Sequence, residues 1–241
     1  MKRTLPLLLI TVLAVGCQNG STPVAKAPEN SSQATPSGKP SPSAAETKAP
    51  TLAELPAELK HAAFDYYGLA NEKPVNMQAV YSSQPQVITG TQTVRLKEMR
   101  DGNAIFMIER TGGLAQLGDQ EMSLEKDGLY VTQSTIAKVN HDLELPADVT
   151  PGKMWDNKTE VEGQISLNSK FKVVGVQKVK TKVGDRDALF VTSTGEGTMR
   201  GQKVKVTSEN WFVKGVGGVK SVLKIAFPGG KTETVTVEET K

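Results

Sequence analysis

The feature that most constrains this fold is a period-two alternation of apolar and polar residues, which runs from Val75 to the C-terminus. Such alternation is typical of half-buried β-strands, whose side chains point in turn to the two faces of a sheet. Asp101-Gly102 and Asp127-Gly128 favour tight hairpin turns, because glycine adopts positive φ without steric cost. The pattern predicts antiparallel strands at residues 75–82, 87–99, 104–111, 122–126, 129–139, 159–167, 170–183, 188–194, 203–213, 218–227 and 232–238.

The segment from Thr51 to Tyr67 has helical spacing of its apolar residues, with Thr51 as a candidate cap and Gly68 as the stop. A helix this short is not stable alone, so we expect it to dock on the sheet. A loop is predicted from His141 to Lys158. The sequence therefore predicts a mainly β globular domain at residues 51–241. Its fold is expected to be a curved antiparallel sheet or open barrel-like meander, with one N-terminal helix over part of the concave face.

A faint internal repeat divides this domain into two similar halves, about 75–139 and 159–238. Residues 101–106 resemble residues 185–190, and residues 129–131 resemble residues 211–213. Two similar meanders would explain both likenesses. Coincidence among hairpin-rich sequences is the alternative.

Residues 1–16 have the organisation of a bacterial export signal. Lys2 and Arg3 precede an apolar run that is too short to span a membrane. The run ends in Leu-Ala-Val-Gly-Cys at positions 13–17, which resembles the lipobox of bacterial lipoproteins, although Ala14 departs from the commoner leucine. The resemblance implies cleavage before Cys17 and lipidation of that residue. An ordinary signal peptide that contains a cysteine is the alternative.

Residues 17–50 are predicted to be a lipidated cysteine followed by a disordered linker. The segment is rich in Ser, Pro, Ala, Thr, Lys and Gly, and Val24 is its only large apolar residue. It cannot bury enough apolar surface to offset the entropy of ordering. The expected partner is the membrane, through lipid on Cys17. Resemblance to Gram-negative lipoproteins implies the outer membrane, if the organism has one, because Gln18 rather than Asp follows the cysteine.

Charge and cysteine content exclude some classes of protein. Removal of Lys2 and Arg3 with the signal lowers the net charge from +3 to +1, which argues against a nucleic-acid partner. Cys17 is the only cysteine, so no intramolecular disulfide is possible. The domain must be held together by apolar burial and hydrogen bonds.

No segment has the spacing of a catalytic, metal or cofactor motif. Residues 229–232, Gly-Gly-Lys-Thr, end like a phosphate-binding loop but lack its first glycine and lie between two predicted strands. Ser221 and Lys224 match Ser-x-x-Lys, yet a strand directs them to opposite faces. His61 and His141 are the only histidines, and neither has a partner at metal-ligand spacing. We predict no catalytic residue, no metal and no cofactor.

Five lysines alternate along one long predicted strand. On the other face of this strand we expect the core residues Phe171, Val173, Val179 and Val183. One interpretation is a solvated face; the other is a basic stripe that contacts an anionic surface, such as lipid head groups or an acidic envelope polymer. The lysines are Lys170, Lys172, Lys178, Lys180 and Lys182.

The C-terminal region resembles uncharacterised β-domains of bacterial secreted proteins and lipoproteins. The resemblance rests on Pro151-Gly-Lys-Met-Trp155 and on Trp211-Phe-Val-Lys-Gly-Val-Gly-Gly-Val219. It implies an envelope location and a β-fold, and no activity. Glycines in the second motif predict a tight or bulged hairpin, and Trp155 and Trp211 are predicted to anchor core packing.

Taken together, these patterns predict a membrane-anchored envelope lipoprotein with a non-enzymatic binding or structural role. Its partner would be an envelope protein or an amphiphile on the curved sheet. A lipid carrier of this kind would need an apolar cavity of several hundred Å³. The alternative is an envelope hydrolase whose site is assembled from dispersed residues. A cleft with His141 beside a carboxylate and a hydroxyl would favour it.

Overall fold

The computed structural model describes residues 50–161 and 163–241 and shows one antiparallel sheet of twelve strands. Neighbours in the sheet follow the order β6-β5-β4-β3-β2-β1-β12-β11-β10-β9-β8-β7. The predicted mainly β, barrel-like fold is therefore confirmed. The strands are β1 (Val75–Tyr81), β2 (Val87–Arg100), β3 (Asn103–Arg110), β4 (Gln120–Glu125), β5 (Gly128–Ser134), β6 (Asp142–Pro146), β7 (Met154–Val161), β8 (Ile165–Lys180), β9 (Asp185–Met199), β10 (Gln202–Val213), β11 (Gly217–Ala226) and β12 (Thr232–Glu239).

The predicted signal at residues 1–16, Cys17, and residues 18–49 of the predicted linker lie outside the described residues. None of the helices in the described part of the chain has the length and apolar character needed to cross a membrane.

The sheet curls into a nearly closed barrel, and side chains join its two edges. Pairing of β1 with β12 connects the two ends of the domain, for example at Ala79 and Val237. Lys138, which precedes β6, forms an isolated antiparallel backbone bridge with Glu160 of β7. Trp155 Nε1 and Asn157 Nδ2 of β7 both donate hydrogen bonds to the Leu143 carbonyl of β6, at 3.0 and 2.8 Å. These contacts satisfy polar groups that an open sheet edge would leave exposed.

The N-terminal segment, residues 51–69, forms a plug at one end of the barrel. The prediction of one helix over 51–67 is wrong, because the segment contains 3-10 turns at Leu52–Glu54 and Ala57–Leu59 and a short helix α1 at Ala62–Tyr66. Leu55 is extended (φ −62°, ψ 133°), since the ring of Pro56 disfavours helical geometry in the preceding residue. Two further 3-10 turns lie at Gly112–Leu117 and Pro228–Gly230.

Two apolar clusters fill most of the interior. The plug cluster joins the N-terminal segment to inward side chains of the strands around it, so the segment covers part of the concave face as expected. The distal cluster occupies the other end. Representative members of the plug cluster are Leu59, Phe64, Phe106, Trp155, Phe171 and Phe212, and those of the distal cluster are Tyr81, Leu117, Leu167, Val206 and Leu223.

Several of the predicted element boundaries are wrong. The predicted strand 159–167 is the end of β7 and the start of β8, separated by a turn at Gly163 (φ 71°) in which the Gln164 N–H donates to the Val161 carbonyl. The predicted loop from His141 to Lys158 contains β6 and the start of β7. Strand β5 ends at Ser134 rather than residue 139. β6 is five residues long and its pairing with β5 is bulged, which hides the period-two pattern.

The C-terminal motifs occupy places consistent with their predicted packing. Trp155 stacks on Phe171 at 5.3 Å within the plug cluster, while Trp211 stacks on Phe190 at 4.9 Å beside a smaller third cluster. Gly215 and Gly217 adopt positive φ in the β10–β11 turn, and the pairing of β10 with β11 is bulged after Trp211. The predicted bulged hairpin is confirmed.

Candidate ligand site in the interior of the barrel

A layer of polar side chains separates the two apolar clusters. Along β10 the inward positions change from Val204 and Val206 to Ser208 and Asn210 and then to Phe212. The Asn210 Nδ2 donates to Ser208 Oγ at 2.9 Å. Ser193 and Ser221 extend the layer to the neighbouring strands, at 2.6 Å from Ser208 Oγ and 2.8 Å from Asn210 Oδ1 respectively. We call this the polar layer; its other members are Tyr67, Gln92, Arg110, Gln120 and Glu144.

Tyr67, which follows α1, is held in place by contacts with the β10–β11 turn. The Gly215 N–H donates to the Asp65 carbonyl at 2.8 Å, and Lys214 Nζ lies 2.9 Å from Asp65 Oδ2. A Cβ on Gly217 would lie 2.8 Å from the Tyr67 carbonyl oxygen, and one on Gly68 only 2.4 Å from the turn's backbone. Both glycines adopt positive φ. The absence of side chains at these two positions lets the plug approach the turn closely.

Arg110 lies at the end of β3, fully buried in the polar layer. Its Nε donates to Gln92 Oε1 at 3.1 Å and its Nη2 to Gln120 Oε1 at 3.2 Å; Nη1 donates to the Gly118 carbonyl. Because a guanidinium has no acceptor, both glutamines must turn their oxygens toward it and their amide N–H groups away. Burial lowers the pKa of Arg110 to about 10, so the side chain remains charged at pH 7.

Glu144 and Tyr67 bring polar atoms into the interior that have no hydrogen-bond partner within the described part of the chain. They are 3% and 5% exposed, and the unpaired atoms are Glu144 Oε1 and the Tyr67 hydroxyl. Burial raises the pKa of Glu144 to about 8, against the opposing effect of Arg110. Burial also raises the pKa of Tyr67 well above 10, with a further contribution from Glu144. Both groups are therefore predominantly neutral at pH 7.

These two side chains line a cavity of about 90 Å³. Gln92, Asn210 and Ser221 supply more polar lining, and Phe212 belongs to the apolar wall. The volume is enough for a few water molecules or a small organic group. It is far below the several hundred Å³ that a lipid carrier would need. The remaining lining residues are Met77, Trp211, Gly218, Lys220 and Val237.

The five predicted lysines do not share one sheet face. Lys172 pairs with Thr192 of β9, and Lys178 pairs with Asp187 of β9. The two lysines are an even number of residues apart, but their partners are an odd number apart, so the two lysines lie on opposite faces. The cause is a bulge between Val173 and Gly175, which adds one residue to β8 and reverses the alternation. Lys170 and Lys172 therefore face one side, and Lys178 and Lys180 the other.

Several of these lysines also have partners within the chain. Lys178 lies 2.9 Å from Asp187, and Lys170 lies 3.9 Å from Asp156. Lys182 follows the end of β8, and its Nζ donates to Gln78 Oε1 at 2.8 Å. Contact of the five lysines with an anionic surface stays a prediction.

Both histidines approach Glu125 near the plug end. His61 Nε2 donates to its carbonyl at 2.8 Å, and His141 Nε2 lies 3.2 Å from its carboxylate. The His141 ring also stacks on Tyr130 at 4.3 Å, but the Tyr130 hydroxyl donates to Asp127 at 2.8 Å. The hydroxyl is thus engaged away from the histidine, and burial raises the pKa of Tyr130 to about 12. Within the described residues, no group of three or more His, Cys, Asp and Glu side chains could hold a metal.

Sequence reasoning missed the residues that line the cavity. One signal was present: the inward positions of β3 are Ala104, Phe106, Ile108 and then Arg110, so a charge continues an apolar alternation. Glu144 carried no such signal, because it lies in the short bulged strand β6. Tyr67 fell at the end of a predicted helix, where an aromatic residue suggests ordinary packing.

No protein-family model and no curated protein matches the chain. Three solved structures are similar to it at low levels of identity. A Bacteroides fragilis protein described as exported, with a YmcC-like fold, is 8% identical over 70% of this chain and 95% of its own, with a TM-score of 0.40. A Parabacteroides distasonis protein described as a lipoprotein is 8% identical over 73% of this chain and 98% of its own, with a TM-score of 0.45. The hypothetical lipoprotein YmcC of Escherichia coli is 11% identical over 76% and 90%, with a TM-score of 0.34.

Proposed function

We propose that this protein is a lipid-anchored envelope protein whose barrel binds a small polar ligand in the interior cavity without chemical conversion. The anchor is proposed from the sequence of residues 1–17, which has a basic start, a short apolar run and a lipobox-like end at Cys17. The predicted linker would let the barrel stand away from the membrane, at the outer membrane if the organism has one.

The binding proposal rests on two buried polar groups in the cavity that have no hydrogen-bond partner in the described part of the chain. A buried polar group without a partner costs about 1–3 kcal/mol, and native interiors contain few of them. Tyr67 and Glu144 place two in one small space, next to a buried guanidinium. A ligand that bonds to both would recover this cost, which gives the site a thermodynamic reason to bind.

The alternative of an envelope hydrolase rests on the arrangement of His141, Glu125 and Tyr130. A histidine next to a carboxylate is the arrangement expected of a general base. However, the nearby hydroxyl donates to Asp127 rather than to His141, and the imidazole is half exposed. The interior cavity is the better supported site, because its polar groups are both buried and unpaired.

The binding proposal is tested by NMR on the full-length protein, purified in neutral detergent with ¹³C-labelled tyrosine. Acetate, acetamide and methylammonium are titrated separately, and the Tyr67 ring signal is assigned by its loss in Tyr67→Phe. We expect at least one solute to shift this signal in a saturable way. Tyr81, in the distal cluster, is the internal control and should not shift. Absence of any saturable shift at Tyr67 would contradict the proposal.

The anchor is tested separately by cell fractionation of the native protein beside a Cys17→Ser variant. The native protein is expected in the membrane fraction and is released only by detergent. The variant cannot receive lipid at position 17. Membrane attachment that is indistinguishable between the two would reject lipid on Cys17 as the anchor.

A further inference from the structure

The donor and acceptor groups of the interior cavity define the chemistry of the ligand. Gln92 lines the cavity and has its oxygen occupied by Arg110, so the group it offers is an N–H donor. Asn210 Oδ1 is occupied by Ser221, and Asn210 Nδ2 donates to Ser208. The amide oxygens of Gln92 and Asn210 are thus engaged within the chain, while the Gln92 amide N–H groups remain as donors.

The charges around the cavity also favour a ligand that accepts hydrogen bonds. Arg110 is fully buried, and each of its three side-chain hydrogen bonds goes to a neutral oxygen. The nearby Asp119 carboxylate accepts from the Arg110 backbone N–H at 2.9 Å and not from the guanidinium. Among the lining residues Glu144 is the one carboxyl group, and its unpaired oxygen becomes a donor when the group is protonated. A site with unused donors beside a buried guanidinium favours a ligand that is both an acceptor and an anion.

We propose that the cavity binds a short free monocarboxylate, held by the Tyr67 hydroxyl, the Gln92 amide and the protonated Glu144 carboxyl group. This inference rests on the proposed function of the same cavity. The volume of about 90 Å³ selects a small acid over a long-chain one. An O–H···O⁻ bond from a protonated carboxyl to a carboxylate is among the stronger hydrogen bonds, which makes Glu144 the principal contact.

Binding of the anion is coupled to protonation of Glu144. The charged and titratable groups around this carboxyl are Arg110, Asp142 and Tyr67. Lys220 also belongs to the cavity lining, but its Nζ donates to the Lys180 carbonyl at 3.2 Å. Burial sets the pKa of Glu144 at about 8, and above this pH the site must take up a proton to bind. The affinity for a carboxylate should therefore be nearly constant between pH 6 and pH 7, fall as the pH passes 8, and approach a tenfold decrease per pH unit well above that value.

The test compares acetate with its neutral isostere acetamide by titration of the Tyr67 signal between pH 6 and pH 9, a range that stays below the pKa of Arg110. At pH 6 we expect acetate to bind at least tenfold more tightly than acetamide. The acetate affinity should be about tenfold lower at pH 9 than at pH 6, and about fivefold lower at pH 9 than at pH 8. Glu144→Gln, which replaces the O–H donor with a weaker N–H donor, should bind acetate less tightly than the wild type at pH 6, and its affinity should no longer depend on pH between 6 and 9.

The outcomes separate this inference from the binding proposal. If acetamide binds as tightly as acetate, or if acetate affinity in the wild type does not change between pH 6 and pH 9, the carboxylate assignment is wrong and the cavity remains a ligand site. If neither solute nor methylammonium shifts Tyr67, the binding proposal itself fails. If Glu144→Gln keeps the wild-type pH dependence, another group is responsible for the coupling and the role given to Glu144 is rejected.

Discussion

Replacement of Glu144 by glutamine should make the protein less sensitive to alkaline pH, because it removes an acid that the fold holds in its neutral form. Burial raises the pKa of Glu144 from 4.5 to about 8. Between these values the folded protein keeps a proton that the unfolded chain has released. The contribution of this group to the free energy of unfolding is complete below pH 4.5, falls as the pH rises, and is fully lost above about pH 8.

The size of the effect follows from the shift. Each pKa unit corresponds to about 1.4 kcal/mol, so the shift from 4.5 to about 8 represents roughly 5 kcal/mol. Between pH 5 and pH 8.5, Glu144 should lower the stability of the wild type by about 4 kcal/mol. The glutamine variant has no such loss. Its stability relative to the wild type should therefore increase by about 4 kcal/mol over this range.

The assay is urea unfolding of the full-length protein in neutral detergent at half-unit pH steps, followed by tryptophan fluorescence. Only the difference between variant and wild type is interpreted, because other groups titrate in both proteins. Tyr67→Phe is a matched control: it alters the same cavity, and the pKa of Tyr67 lies well above the range. Its difference from the wild type should be independent of pH. Parallel curves for Glu144→Gln and the wild type would refute the argument that burial keeps Glu144 protonated.

Three further sets of substitutions test how the barrel is built and what its surface contacts. Gly197→Ala should lower the free energy of unfolding by about 1–3 kcal/mol, because a Cβ there would lie 1.9 Å from the Ser166 carbonyl oxygen. In Gly218→Ala the nearest atom to the new Cβ lies at 3.7 Å, so the free energy of unfolding should fall by less than about 1 kcal/mol. Equal decreases for the two variants in urea unfolding would contradict this packing. Trp155→Phe removes the Nε1–H that donates to the Leu143 carbonyl, so backbone amide hydrogen exchange should become faster in β6 and β7 than in the wild type, with no change in β10. An equal change in all three strands would rule out a role for this bond in joining the two edges. Replacement of Lys178, Lys180 and Lys182 by Gln should abolish salt-sensitive binding of unlipidated Cys17→Ser protein to anionic vesicles, while replacement of Lys170 and Lys172 on the opposite face should not; unchanged binding in the triple variant would reject this contact.

The fold was predictable because its strands are long and its turns carry local signals. Asp101-Gly102 forms the turn between β2 and β3, with positive φ at both residues, as the dipeptide predicts. The errors occur where one residue changes the local geometry. Gly163 turns what reads as one strand into two, and Pro56 interrupts an otherwise helical spacing.

The site was much less predictable, because it depends on contacts between residues far apart in the sequence. Tyr67, Arg110 and Glu144 come from the plug, β3 and β6, and only the closure of the sheet brings them together. The lysine stripe failed as a geometric prediction for a related reason. A single bulged residue near Val174 changes the face of every lysine after it, and no property of the lysines themselves indicates this.

The proposal that the protein is anchored by lipid is tested most directly by the intact mass of the mature protein isolated from its natural membrane. We predict that residues 1–16 are absent and that the new N-terminal residue, Cys17, carries the added mass of a diacylglyceryl group, with or without a third acyl chain. The Cys17→Ser protein should carry no such mass. A native protein cleaved at another position, or one that retains a free thiol at Cys17, would contradict the lipoprotein assignment.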